Sequence, residues 1–181
     1  MGKLNGFDGL WGVEYKSNHK QAISGFVLEY YQTTNQSGPM HGLDFSEVKK
    51  TGGADDYYNN DWYPGWVHWG MSMANPLIAS PIYNKDGDMT FKYNRVRAMH
   101  LGWSGDISSE WTYLAKLSYN KTWGTPFKPI PDILENFSTF ASIIYTPRKW
   151  KGWRFNASIA FDTGEIYGDN LGCQLKVRKI F

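Results

Sequence analysis

The sequence predicts an all-β chain: antiparallel strands that form a membrane β-barrel, or the C-terminal part of a larger one, with long loops at one end. Three observations carry this. Several stretches alternate apolar and polar residues with period two, as strands with one wet face do. The largest aromatics cluster at the ends of those stretches, where a bilayer-facing strand places its interfacial girdles, whereas a soluble sandwich prefers them mid-core. Short and long connections alternate along the chain, the sided arrangement of outer-membrane barrels, with tight periplasmic turns and elaborated extracellular loops.

The elements follow in chain order. "FDGLWGVEYK" (7–16) and "AISGFVLEYY" (22–31) open the series, joined by the short "SNHKQ". A long excursion from about Thr33 to Asp88 follows, and "FKYNRVRAMHLGW" (91–103) resumes the strands. "EWTYLAKLSYN" sets Trp111, Tyr113, Ala115, Leu117 and Tyr119 against Glu110, Thr112, Lys116, Ser118 and Asn120. "NFSTFASIIY" (136–145) comes next, then "WRFNASIAFD", with Trp153, Phe155, Ala157, Ile159 and Phe161 on one face. The last stretch puts Leu171, Cys173, Leu175, Val177 and Phe181 opposite Gln174, Lys176 and Arg178. Strands are therefore expected near 7–16, 22–32, 90–103, 110–121, 135–145, 152–162 and 170–181, with "WYPGWVHWG" a candidate for one more. Connections 121–133 and 162–170 read as long, 104–109 and 146–152 as short. With short turns on the side of Phe181, Asp86 and Asp132 should face the outside and Ser108 the periplasm.

Composition bounds the rest. The chain has 181 residues, enough for a single domain over 1–181, and a net charge of +2, which gives no bias toward nucleic acid. Aromatics reach 17%, with nine Trp and twelve Tyr, while mean hydropathy is −0.51. No run of about 18 apolar residues exists, so no transmembrane helix is expected, but alternating barrel strands average out as polar. Cys173 stands alone, which leaves no disulfide framework or cysteine-based zinc site within the chain. "MGKLNGFDG" lacks the apolar core of a signal peptide, and an odd count near seven strands suggests a fragment of a larger barrel. Phe181, closing an amphipathic strand, looks like the assembly signal that bacterial outer-membrane proteins present to the barrel-assembly machinery.

Several motifs in one order carry a resemblance. "EYYQTTNQSGPMH", "GGADDYYNNDWYPGW", "NPLIASP", "NRVRAMHLGW", "WGTPF" and "AFDTGEIYGDNLG" together resemble the capsule-assembly proteins called Wzi, over about Phe26 to Phe181. The resemblance implies a non-enzymatic barrel of the bacterial outer membrane that holds capsular polysaccharide at the cell surface. It also implies a longer parent of roughly eighteen strands, of which this chain would be the C-terminal part. The family's helical bundle has no counterpart here.

The stretch "GGADDYYNNDWYPGWVHWG" (52–70) is too polar for a core and too aromatic for an ordinary loop. A polysaccharide presents apolar C–H faces and a rim of hydroxyls, so its site needs flat aromatic faces and planar polar groups. Tyr57, Tyr58, Trp62, Tyr63 and Trp66 offer the faces; Asp55, Asp56, Asn59, Asn60 and Asp61 offer the polar groups. Asn35, Gln36 and His41 could reach the same region. The competing reading is a loop packed on itself, with Asn and Asp as ordinary turn residues.

Other chemistry is weakly signalled. Glu14, Glu29, Arg95, Arg97, Glu110, Lys116, Arg154, Asp162, Lys176 and Arg178 are expected on lumen faces as a mutually neutralising lattice. "NKDGDM" (84–89) lacks the glycine placement and distal Glu of a calcium loop. The four histidines show no metal spacing, and no nucleophile elbow exists, so neither metal, cofactor nor catalytic residue is expected. Expected partners are capsular or exopolysaccharide and outer-membrane lipid. A diffusion porin and an outer-membrane hydrolase are the alternatives.

Overall fold

Alternation writes the strands. The computed structural model describes residues 7–35, 41–43, 50–52, 57–59, 65–73, 75–84, 86–126 and 128–181. Its strands are β1 (Gly9–Lys16), β2 (Gly25–Gln32), β3 (His41–Leu43), β4 (Lys50–Gly52), β5 (Val67–His68), β6 (Met71–Ser72), β7 (Val96–Asp106), β8 (Trp111–Gly124), β9 (Pro129–Tyr145), β10 (Trp153–Gly164) and β11 (Asn170–Lys179). A 3₁₀ turn occupies Pro81–Tyr83. Seven strands form one antiparallel sheet in the order β1-β2-β7-β8-β9-β10-β11, an up-and-down meander. They fall on the seven stretches expected to be strands. Among the described residues the sheet is open, with β1 and β11 at its edges. β3–β4 and β5–β6 are separate two-stranded ribbons. Of the "WYPGWVHWG" stretch, Val67 and His68 thus join a local ribbon and add no strand to the main sheet.

Two expectations about connections need correction. The segment 121–133 is not a long loop, because β8 runs to Gly124 and β9 begins at Pro129. The Thr125 amide donates to the Lys128 carbonyl at 3.2 Å. Gly124 has φ +79°, and a Cβ there would lie 2.6 Å from that same carbonyl, so only glycine fits. Asp132 therefore sits within a strand. Pro129 and Pro131 masked this strand in the sequence, yet proline is tolerated at a strand's start. The expected alternation of long and short connections reduces to one long excursion, between β2 and β7.

Register explains the sheet's two faces. Ala157 lies between Ile143 and Leu175, and Ile159 between Ala141 and Cys173. On the opposite face Asn156 Nδ2 donates to Ser142 Oγ at 2.9 Å, and His100 Nδ1 meets Ser118 Oγ at 2.7 Å.

The chain divides into two compact units: 1–10, 31–98 and 120–134 in one, 11–30, 99–119 and 135–181 in the other. The first has an apolar core of Ile78, Phe91, Val96 and Ala98, with Tyr31, Tyr58, Val67 and Leu77 packed against it. Asp8 anchors the start of the long excursion here. Its Oδ1 accepts from Gln32 Nε2 at 3.0 Å and from the Thr34 amide at 3.1 Å, and its Oδ2 accepts from the Asn35 amide. A carboxylate with several donors makes strong charge-assisted bonds.

The second unit is built the other way round. Among its described residues none of the strand-borne apolar side chains is buried: Leu175 is 85% exposed, Val177 59% and Ile159 51%. Asn136, by contrast, is 1% exposed; it donates to Ser138 Oγ and accepts from the Tyr167 amide. At the turn end of the apolar face a row of rings forms. Trp111 stacks on Tyr145 (centroids 4.5 Å), Tyr145 on Phe155 (6.2 Å) and Phe155 on Trp153 (6.0 Å).

The neutralising lattice is not found. Among the described residues the ion pair is Lys92–Asp86, and none of the ten charged residues proposed for the lattice takes part in one. Alternation gives a residue its face but not its cross-strand partner, and register sets Arg154 opposite Arg178. Arg97 is on the other face, its guanidinium 5.1 Å from the Trp123 ring centroid. Glu110 instead holds a turn, its carboxylate accepting the Arg148 amide at 2.6 Å.

Candidate functional site

Several described residues of the long excursion pack on or bond to Phe91 and its cluster. Asn59 pairs with the backbone of that residue in both directions: its Oδ1 accepts the Phe91 amide at 2.7 Å, and its Nδ2 donates to the Phe91 carbonyl at 2.8 Å. The side-chain amide thereby imitates a strand bridge, an ordinary use of asparagine in loops. Tyr58, one residue earlier, turns its ring to Phe91 with centroids 4.9 Å apart. These two residues tie this part of the loop to Phe91.

Their neighbours point outward. Tyr57 is 42% exposed and Trp66 55%. The Trp66 amide donates to the Tyr57 carbonyl at 2.9 Å, which brings the two residues side by side in the backbone. Gly65 makes this possible: its φ is +64°, and a Cβ would stand 2.2 Å from the Tyr57 carbonyl oxygen. Gly65→Ala is accordingly expected to break the Trp66–Tyr57 bond. The left-handed backbone alone costs a non-glycine residue about 1–2 kcal/mol. Amide exchange at Trp66 should quicken in the variant while exchange in β9 and β10 stays unchanged. Unaltered exchange at Trp66 would show that the loop closes without that bond.

A further aromatic was left out of the expected site. Trp69 and Gly70 form the two-residue turn between β5 and β6, both with positive φ (49° and 73°), as in a type I′ hairpin. Trp69 is 86% exposed. The readable signal was a tryptophan–glycine pair between two short apolar-polar dipeptides. Of the other expected site residues, Asp55, Asp56, Asn60, Trp62 and Tyr63 lie outside the described residues, as do Asp61 and Gln36. His41 falls in β3, and the Asn35 amide is held by Asp8.

The acids of 84–89 serve their own turn. Asn84 donates to the Asp88 and Thr90 carbonyls, and Asp88 accepts from the Thr90 amide and hydroxyl. The hydrogen bond from Lys92 holds the Asp86 carboxyl below the usual carboxylate range, and Thr90 does the same for Asp88. In the second unit a shallow hollow of about 250 Å³ is lined by Glu14, Lys16, Ser17, Ser104 and Lys116, among others.

No family model matches the chain, and neither does any curated protein sequence or solved structure.

Proposed function

We propose that the chain is part of a bacterial outer-membrane β-barrel of the Wzi type, which holds capsular or exopolysaccharide at the cell surface without catalysing a reaction. The observation that carries the membrane half of this reading is the inverted second unit. Its apolar band is open on one face while asparagine, serine and histidine pair with one another on the other. Such a distribution suits hydrocarbon outside and water inside. β7 with 11 residues and β11 with 10 match the about 9–11 of a tilted spanning strand, and β10 with 12 is one residue longer. The stacked row Trp111–Tyr145–Phe155–Trp153 is what an interfacial girdle requires. Lipid would cover the apolar band, upstream strands of a parent barrel would cover the open edges, and Phe181 would engage the assembly machinery.

The glycan half rests on Tyr57 and Trp66, two exposed aromatic residues tied together in the backbone and held on a packed support. Each stacking face should contribute about 0.5–1.5 kcal/mol. Tyr57→Ala and Trp66→Ala are each expected to weaken binding of purified capsular polysaccharide several-fold, measured by calorimetry, with more lost in the double variant. Folding should persist, because neither side chain belongs to the core. Unchanged affinity in the double variant would remove this pair from the site. A diffusion porin is the second reading, favoured by the unpaired charges Lys116, Lys176 and Asp162 on the wet face. Ion conductance in planar bilayers separates the two, since a glycan holder with a filled lumen conducts little.

A further inference from the structure

Charge is segregated along β10 and β11. The segments 146–154 and 176–181, which meet at one end of the hairpin, contain Arg148, Lys149, Lys151 and Arg154, then Lys176, Arg178 and Lys179, and no acid. Residues 155–175 between them contain no Lys or Arg but hold Asp162, Glu165 and Asp169. None of the seven cations forms an ion pair among the described residues. Glu110 reaches this end, but its carboxylate is turned to the Arg148 backbone amide. Arg148, Lys149, Trp150 and Lys151 are all exposed. Lys179 lies on the apolar face, its Nζ 5.3 Å from the Trp153 ring centroid and 4.7 Å from that of Phe181. Cations are thus interleaved with the ring row at a single level of the sheet.

We propose that this turn end docks on anionic phospholipid headgroups. The inference rests on the membrane reading above and adds a lipid preference to it. Aromatic rings fit the boundary between hydrocarbon and headgroup, and lysines whose stems lie along apolar surface extend their ammonium groups to the phosphates. A neutral zwitterionic surface would satisfy the rings but leave four unpaired charges, Arg148, Lys149, Lys151 and Lys179, without a counter-charge. An anionic surface attracts each basic residue near it by about fivefold in partition.

Flotation with vesicles tests this, using phosphatidylcholine alone or mixed with phosphatidylglycerol, at low and high salt. The 181-residue chain should float with both lipids and partition more strongly into the phosphatidylglycerol mixture, with the excess lost at high salt. The combined Arg148→Gln, Lys149→Gln, Lys151→Gln variant should lose roughly a hundredfold of that excess and keep its binding to phosphatidylcholine. A Lys149→Arg, Lys151→Arg variant should retain the excess, and circular dichroism should show the same strand signal in all. Equal partition of the unaltered chain into both lipids, or an undiminished preference in the glutamine variant, would overturn the inference and leave the membrane reading intact. Failure to float with either lipid would overturn the membrane reading and the inference with it.

Discussion

Phe91→Ala is expected to lower the stability of the first unit by about 3–5 kcal/mol, the range for deleting a buried ring. Phe91 is 2% exposed and belongs to the buried cluster with Ile78, Val96 and Ala98. The substitution also removes the surface on which Tyr58 rests. The bonds from Asn59 go to backbone atoms and are not deleted, but their geometry depends on the ring staying in place. Limited proteolysis should therefore cut the excursion between 57 and 91 in the variant, before the strands of the second unit are touched. Polysaccharide binding should fall as well, although Phe91 touches no sugar, because Tyr57 and Trp66 lose their support. A variant as resistant to protease as the unaltered chain would mean that other contacts hold the loop.

Ala157→Arg should destabilise the second unit by about 2–4 kcal/mol in a bilayer, the cost of an arginine at the midplane of a lipid-facing strand. Ser158→Arg should be tolerated. The two positions are adjacent in sequence and opposite in orientation. Ala157 is set between Ile143 and Leu175, Ser158 between Ser142 and Gln174. Unfolding by denaturant from reconstituted vesicles measures the difference. Equal effects at the two sites would contradict a lipid-facing band. In detergent-free buffer the order should reverse or vanish, since no hydrocarbon is then present to disfavour the charge.

The strands were legible because alternation is local information. From Trp153 to Phe161 every residue but Ala160 declares its face by its neighbours alone, and the register of β10 with β9 and β11 respects that face. Local rules misled where a non-local contact decides. The segment 121–133 read as a long loop, but Gly124 and Lys128 form a tight turn that carries the chain straight back into β9. Arg97 was assigned to the wet face, yet it sits over Trp123, a partner 26 residues away. The candidate site was legible as a composition and not as a geometry. Tyr57 and Tyr58 look alike in sequence, and only the distant Phe91 determines that Tyr58 packs inward. Asn59 likewise read as one polar group among several, and only the fold pairs its side-chain amide with the Phe91 backbone.

The connection lengths have a consequence for the entropy of the unfolded chain. Every neighbouring pair in the main sheet is joined by a short turn except β2 and β7, which are joined by residues 33–95. That segment is about sixteen times as long as the turn 107–110, and each doubling of a flexible loop adds about 0.6 kcal/mol to its closure. Bringing β2 to β7 therefore costs about 2.5 kcal/mol more than forming the β7–β8 hairpin. The core around Phe91 and the carboxylate of Asp8 shorten that segment in effect, because a loop already collapsed on itself has fewer conformations to lose. The excursion's internal packing is thus a condition for joining β1–β2 to the remaining five strands, whatever its surface binds.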